Sequence, residues 1–128
     1  MRILLDSDVL IDHLRGFEPA GAALRSARQR GDRLSASVLS KVEILSGMRK
    51  AEERMARRVL DQLEWLEVTD EIAEQAGAFG ARYLRRHRHI ETTDYVIAAT
   101  AELVGAALWT RNLKHFPMFP RLREPYVL

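Results

Sequence analysis

The chain is 128 residues long, the size of one ordinary domain, and its 47% hydrophobic and 30% charged residues exclude a disordered chain and suit a self-sufficient core. It has no cysteine, which excludes disulfides, thiolate metal sites and cysteine nucleophiles. Its 20 Lys and Arg residues, seventeen of them arginine, nearly balance 18 acids, so a net charge of +2 accompanies a pI of about 9.3.

Arg2 to Leu5 is a short apolar run that predicts a buried strand. It imitates the start of a signal peptide, but Asp6 and Asp8 end it too early, and the longest apolar stretch, Val96 to Trp109, is broken by Glu102. That stretch falls short of the ~20 residues a membrane span needs. The expectation is a cytoplasmic protein without a membrane span, forming one domain over residues 1–128. Ser7 or Asp8 can cap a helix carrying Val9, Leu10, Ile11 and Leu14 toward Gly16. Pro19 opens a second helix that Gly31-Asp32 closes, and Arg33 to Ala36 is a weak strand candidate. Ser37 caps a helix with Val38, Leu39, Val42, Ile44 and Leu45; helical spacing resumes at Met55, Val59, Leu60 and Leu63. Leu66 to Val68 predicts a strand, and Thr69 or Asp70 caps a helix with the stripe Ile72, Ala76, Phe79, Tyr83. Thr92 or Thr93 caps an apolar helix from Tyr95 to Val104, ended by Gly105. Ala106 to Trp109 predicts a fourth strand and Pro125 to Leu128 a fifth. Strands alternating with helices define an α/β fold with a mainly parallel sheet, which binds ligands beyond the carboxyl ends of its strands.

Asp6 follows the first strand directly, Glu43 lies one to two turns into the helix after the second, Asp94 opens the Tyr95 helix, and Asn112 follows the fourth strand. Four polar groups distant in sequence thus fall toward one end of the sheet, although any one of them also reads as an ordinary helix-start or surface residue. Carboxylates brought together repel, so one must take up a proton or a cation must join them. An oxygen-only donor set suits Mg²⁺ or Mn²⁺, and the four histidines (His13, His87, His89, His115) lack zinc-motif spacing. Two basic runs, Arg49 to Arg58 and Arg82 to His89, serve either as solvated helix faces or as nucleic-acid contacts. An acidic metal site with arginines nearby suits phosphodiester chemistry.

Leu4-Leu5-Asp6-Ser7-Asp8-Val9-Leu10-Ile11, the segment from Ser37 to Gly47 around Glu43, Thr93-Asp94-Tyr95-Val96-Ile97-Ala98-Ala99-Thr100-Ala101, and Thr110-Arg111-Asn112-Leu113-Lys114-His115-Phe116 occur in this order. In that order and spacing the chain resembles a PIN-domain ribonuclease, and among these the VapC toxins of bacterial toxin–antitoxin pairs. The likeness covers essentially the whole chain. It implies a three-layer α/β/α sandwich and a Mg²⁺- or Mn²⁺-dependent endoribonuclease that cuts RNA phosphodiester bonds with metal-activated water. It places catalytic roles on Asp6, Glu43, Asp94 and Asn112, with Asp6, Asp94 and Glu43 as metal ligands. Ser7 matches a small hydroxyl residue that follows the first acid. The chain departs from the family pattern where Asn112 occupies the usual Thr-x-Asp position and His115 stands in place of a further acid, which puts a second metal in doubt. Asp8 is an extra acid. Ser7, Arg111, Arg82 and Arg85 are the expected RNA contacts, Arg111 foremost among the arginines because it adjoins the site.

The resemblance also implies a homodimer and a VapB-like antitoxin whose tail crosses the acids. The surplus apolar surface around Met55, Val59, Leu60, Leu63 and Trp65 offers a dimer face. Two other readings compete. A catalytically weakened PIN-like protein would bind without cutting. Asp6-Ser7-Asp8 also imitates the Asp-x-Asp nucleophile of haloacid-dehalogenase-type phosphatases, but the only late lysine is Lys114 and no paired acids follow Asp94.

Overall fold

The computed structural model describes residues 1–127. Four short strands, β1 (Arg2–Leu5), β2 (Arg33–Ser37), β3 (Glu64–Leu66) and β4 (Ala107–Trp109), form one sheet in the order β3-β2-β1-β4. All three pairings are parallel, with Leu4 opposite Ser35, Leu5 opposite Trp109 and Ser37 opposite Leu66. Helices α1 (Ser7–Leu14), α2 (Glu18–Gln29), α3 (Val38–Gly47), α4 (Glu53–Leu60), α5 (Asp70–Tyr83) and α6 (Thr92–Val104) cover the two faces.

The two-residue period of β1 builds both layers of core. Ile3 and Leu5 point into a cluster with Val9, Leu10, Leu24, Ile44 and Leu60 from the first four helices. Leu4 points the other way, among Ile72, Phe79, Tyr95, Ile97 and Leu108. This is the three-layer α/β/α sandwich. β1 is buried on both faces, which is why its sequence is a continuous apolar run rather than an alternating one.

Several boundaries differ from the expected ones, most of them by a residue or two. Asp6, rather than Ser7 or Asp8, caps α1: its Oδ1 accepts the Ser7 N–H at 2.9 Å. α6 starts at Thr92, so Glu91 takes the capping position instead of either threonine, and its N–H donates to Asp94 Oδ2 at 3.0 Å. α4 stops at Leu60, leaving Leu63 and Trp65 beyond it. β3 spans Glu64–Leu66, two residues earlier than the apolar run indicates, because Thr69 caps α5 by accepting the Ile72 N–H and Val68 is already exposed. Residues 125–127 form no strand: Tyr126 turns inward, its hydroxyl donating to Asp12 Oδ2 at 2.6 Å and its ring 6.1 Å from Phe17. Leu128, the rest of that expected strand, lies outside the described residues. Gly105 ends α6 as the spacing predicts, at φ 68°, a left-handed conformation that favours glycine.

In this strand order the chain runs from β1 outward to β2 and β3, then returns to the other side of β1 as β4. The carboxyl ends of β1 and β4 therefore diverge into a crevice, the place where open parallel sheets hold their ligands.

Candidate active site

Asp6 leaves the end of β1 into that crevice, and Thr110 to Asn112 leave the end of β4 beside it. A cleft of about 130 Å³ opens here, lined by Asp6, Ser7, Glu43, Glu91, Thr93, Asp94, Ile97, Asn112 and His115. Asp6, Ser7, Glu43, Asp94 and Asn112 are thus brought together, from β1, α1, α3, α6 and the loop after β4. A larger apolar groove, about 990 Å³ along the free edge of β4, contains none of these acids.

Asp6 is buried and held from two sides. Its Oδ1 accepts the Ser7 N–H, and its Oδ2 accepts the Thr110 hydroxyl at 2.8 Å. Thr110, fully buried, also accepts the Asn112 N–H at 3.1 Å, so one hydroxyl ties the first acid to the loop that presents Asn112. Burial pushes the Asp6 carboxyl up to about 7, the Asp8 and Asp94 charges push the same way, and the Thr110 and Ser7 hydrogen bonds pull it partly back. Glu43 is raised too, by burial first and then by the charges of Asp94, Glu91 and Asp8, against the pull of the Ser7 hydroxyl. Asp94 Oδ2 accepts the Glu91 N–H and stands 3.1 Å from His115 Nδ1. No lysine or arginine lines the cleft, and the acids outnumber the one imidazole.

Other sequence expectations resolve differently. Arg111 does not face the cleft. Its Nη2 donates to Asp12 Oδ1 at 3.0 Å and its Nε to Asp12 Oδ2, while its backbone N–H donates to Asp8 Oδ2 at 2.8 Å. A half-buried arginine surrounded by two carboxylates and the Tyr126 hydroxyl is a structural clamp, so its expected role as foremost phosphate contact is withdrawn. Asp8 faces this clamp, outside the cleft lining; it is raised chiefly by burial. Arg82 and Arg85 are exposed, at the end of α5 and in the turn after it, also outside the lining. The expected dimer face dissolves as well: Val59, Leu60, Leu63 and Trp65 pack in the core and only Met55 stays exposed. Glu91 carries no role in the sequence reading, and Thr93 and Thr110 enter it only as a candidate cap and as parts of the motifs. An acid in the capping position before an apolar helix was the available signal for Glu91; the motif marks Thr110, but not its hydrogen bond to a partner 104 residues away.

The donor set, all carboxylate oxygens, matches a hard divalent cation. Among the described residues no three His, Asp or Glu side chains stand close enough to ligate one ion jointly. Mg²⁺ is commonly held by one or two carboxylates with water completing its shell, so this arrangement fits it. The electrostatics agree, because a carboxyl raised toward neutrality by burial and then by like charges is relieved by a cation.

A PIN-domain family model matches residues 3–121. Ribonuclease VapC10 of Mycobacterium tuberculosis is 46% identical over 98% of this chain and 94% of its own, and Ribonuclease VapC19 of the same species is 41% identical over 96% and 98%. A chain of the solved toxin–antitoxin complex from Klebsiella pneumoniae superposes with a TM-score of 0.82 at 28% identity, covering 98% of this chain and 99% of that one. A parallel sheet with acids at its switch point defines an α/β protein with an acidic site; the chain belongs to the PIN-domain family and, within it, to the VapC group.

Proposed function

We propose that this protein is the ribonuclease toxin of a toxin–antitoxin pair, an endonuclease that needs Mg²⁺ or Mn²⁺. The observation that carries the reading is the acidic cleft at the β1/β4 crevice, with buried Asp6 raised to about 7 by its surroundings. Asp6 and Asp94 would hold the cation, with Glu43 reaching it through water. When bound, the cation would polarise the phosphate and stabilise the leaving oxygen. Thr110 and the Ser7 N–H fix the direction in which Asp6 presents its oxygens, and His115 holds Asp94. Glu43, raised and open to solvent, is suited to accept the proton of the attacking water at a carboxylate oxygen. Asn112 offers an uncharged amide that can donate to phosphate.

Relatives' names and the neighbouring complex support both RNA as substrate and a VapB-like antitoxin as partner. The cleft suits such a partner. A lysine or arginine of the antitoxin would pair with Asp6, Glu43 or Asp94 and exclude RNA from the same groove. An apolar groove lined by Ile11, Leu14, Ile44, Met48 and Ala56 begins beside Glu43 and could seat the adjoining segment. Self-association into a homodimer stays part of the proposal, read by light scattering; a strict monomer removes it.

The test is cleavage of RNA with Mg²⁺ supplied or chelated. Wild type should cut with the metal and stop in chelator. Asp6→Asn and Asp94→Asn should not cut at all, and cognate antitoxin should suppress the wild type. Undiminished cutting by both variants refutes the assignment.

A further inference from the structure

One motif remains unused by the site: Arg82 and the segment Arg85-Arg86-His87-Arg88-His89 between α5 and α6. The structure gives it a path to the cleft. Tyr83 and His87 have ring centroids 5.8 Å apart, His87 and His89 5.9 Å, and His89 and His115 5.4 Å, where His115 already lines the acidic cleft. His89 is held in place by Nε2, 3.0 Å from the Lys114 carbonyl oxygen, a contact in which the ring nitrogen donates. Successive rings meet at 53–72°, edge-on or tilted rather than stacked flat, and the Arg82 guanidinium lies 5.4 Å over the Tyr83 ring. Arg82, Arg85, Arg86 and Arg88 flank this row; all are exposed and none forms an ion pair among the described residues.

We propose that His87 and His89, with the flanking arginines, form a binding track for single-stranded RNA that leads into the cleft past His115. The inference rests on the ribonuclease reading and deepens it. A cleft lined by Asp6, Glu43, Glu91 and Asp94 repels a polyanion, so the strand needs a cationic approach beside it, and this segment supplies one. Unpaired bases lie against flat rings irrespective of sequence, while arginines neutralise the phosphates between them. Among the described residues, the second basic run, Arg49 to Arg58, has no comparable row of rings joining it to the cleft.

The experiment measures fluorescence anisotropy of the full chain, in chelator to prevent cutting, with a labelled fifteen-nucleotide oligouridylate and an abasic oligonucleotide of equal length. The double variant His87→Ala/His89→Ala should bind the oligouridylate roughly tenfold more weakly and the abasic strand within about twofold of wild type. His87→Phe/His89→Phe, which keeps flat rings, should restore most of the affinity. Arg85→Ala/Arg86→Ala should weaken both strands and lower the salt slope by about 1.4, at ~0.7 per phosphate contact on single strands. Unchanged oligouridylate binding by His87→Ala/His89→Ala, or equal losses on both strands, overturns the track. Wild type assayed in parallel with Mg²⁺ separates the two readings. If it cuts RNA while the histidine variant binds like wild type, only the track falls; if it neither binds nor cuts, the ribonuclease reading falls.

Discussion

The Asp6 carboxyl sits at the boundary between a structural cap and a reactive group, and its titration is the sharpest consequence of that position. Its folded-state pKa, about 7, lies above the unfolded value of 3.8, so the folded chain binds this proton more tightly. The group's contribution to stability is therefore complete below about pH 4 and lost as pH rises to about 7, at most roughly 4 kcal/mol. In metal-free solution, the difference in melting temperature between Asp6→Asn and wild type should widen in the variant's favour between pH 4 and pH 8. A difference flat across that range contradicts the assignment of cause. Thr110 governs the same group. Its hydrogen bond lowers the Asp6 pKa, so Thr110→Val should raise it and move the acid limb of the cleavage profile to higher pH. The variant should also lose about 1–3 kcal/mol, because Asp6 Oδ2 and the Asn112 N–H both lose their partner. An unmoved acid limb would show that Asp6 does not need to be ionised for cutting.

Elements differ in how much of their position local sequence announces. The Arg111 clamp joins α1, the loop after β4 and the chain near Tyr126 through the single carboxylate of Asp12. Arg111→Ala should therefore lower stability by about 2 kcal/mol, since it leaves Asp12 half-buried without its cation. It should leave the salt slope of RNA binding unchanged; a fall of about 0.7 would restore Arg111 as a phosphate contact. At the end of α6, Gly105 adopts φ 68° with open space where a Cβ would stand, so Gly105→Ala carries only backbone strain. About 1 kcal/mol is expected from thermal unfolding, without an effect on the cleft. These two cases bracket what an element reveals beforehand. The glycine stop and the Thr69 cap were legible because their physics is local, whereas the missing fifth strand was decided by the hydrogen bond from Tyr126 to Asp12, 114 residues away.

At the scale of the whole molecule, strand order gathers carboxylates from β1, α3 and α6 that repel one another, and a divalent cation should reverse the resulting cost. Mg²⁺ or Mn²⁺ should raise the melting temperature, and more at pH 8 than at pH 5, because protonation of Asp6 competes with the ion. Asp6→Asn/Asp94→Asn should abolish the increment; an equal rise in that variant would place the ion elsewhere.

The apolar run before Asp6, the helical stripes and the alternation of elements determined the α/β class by themselves, because hydrophobic period and turn chemistry act over a few residues. The same local patterns put Asp6, Glu43, Asp94 and Asn112 near strand ends and helix starts. Four spaced motifs taken together matched the family, even though each was weak alone. Only the tertiary structure decided which polar residues share a cleft. It turned Arg111 away toward Asp12, brought Glu91 and Thr93 in, and drew Val59, Leu60, Leu63 and Trp65 into the core. The reason is physical. A side chain's partners are set by the register of β1 between β2 and β4 and by the burial that register imposes. The Asp6–Thr110 hydrogen bond closes across 104 residues, a distance no local pattern spans.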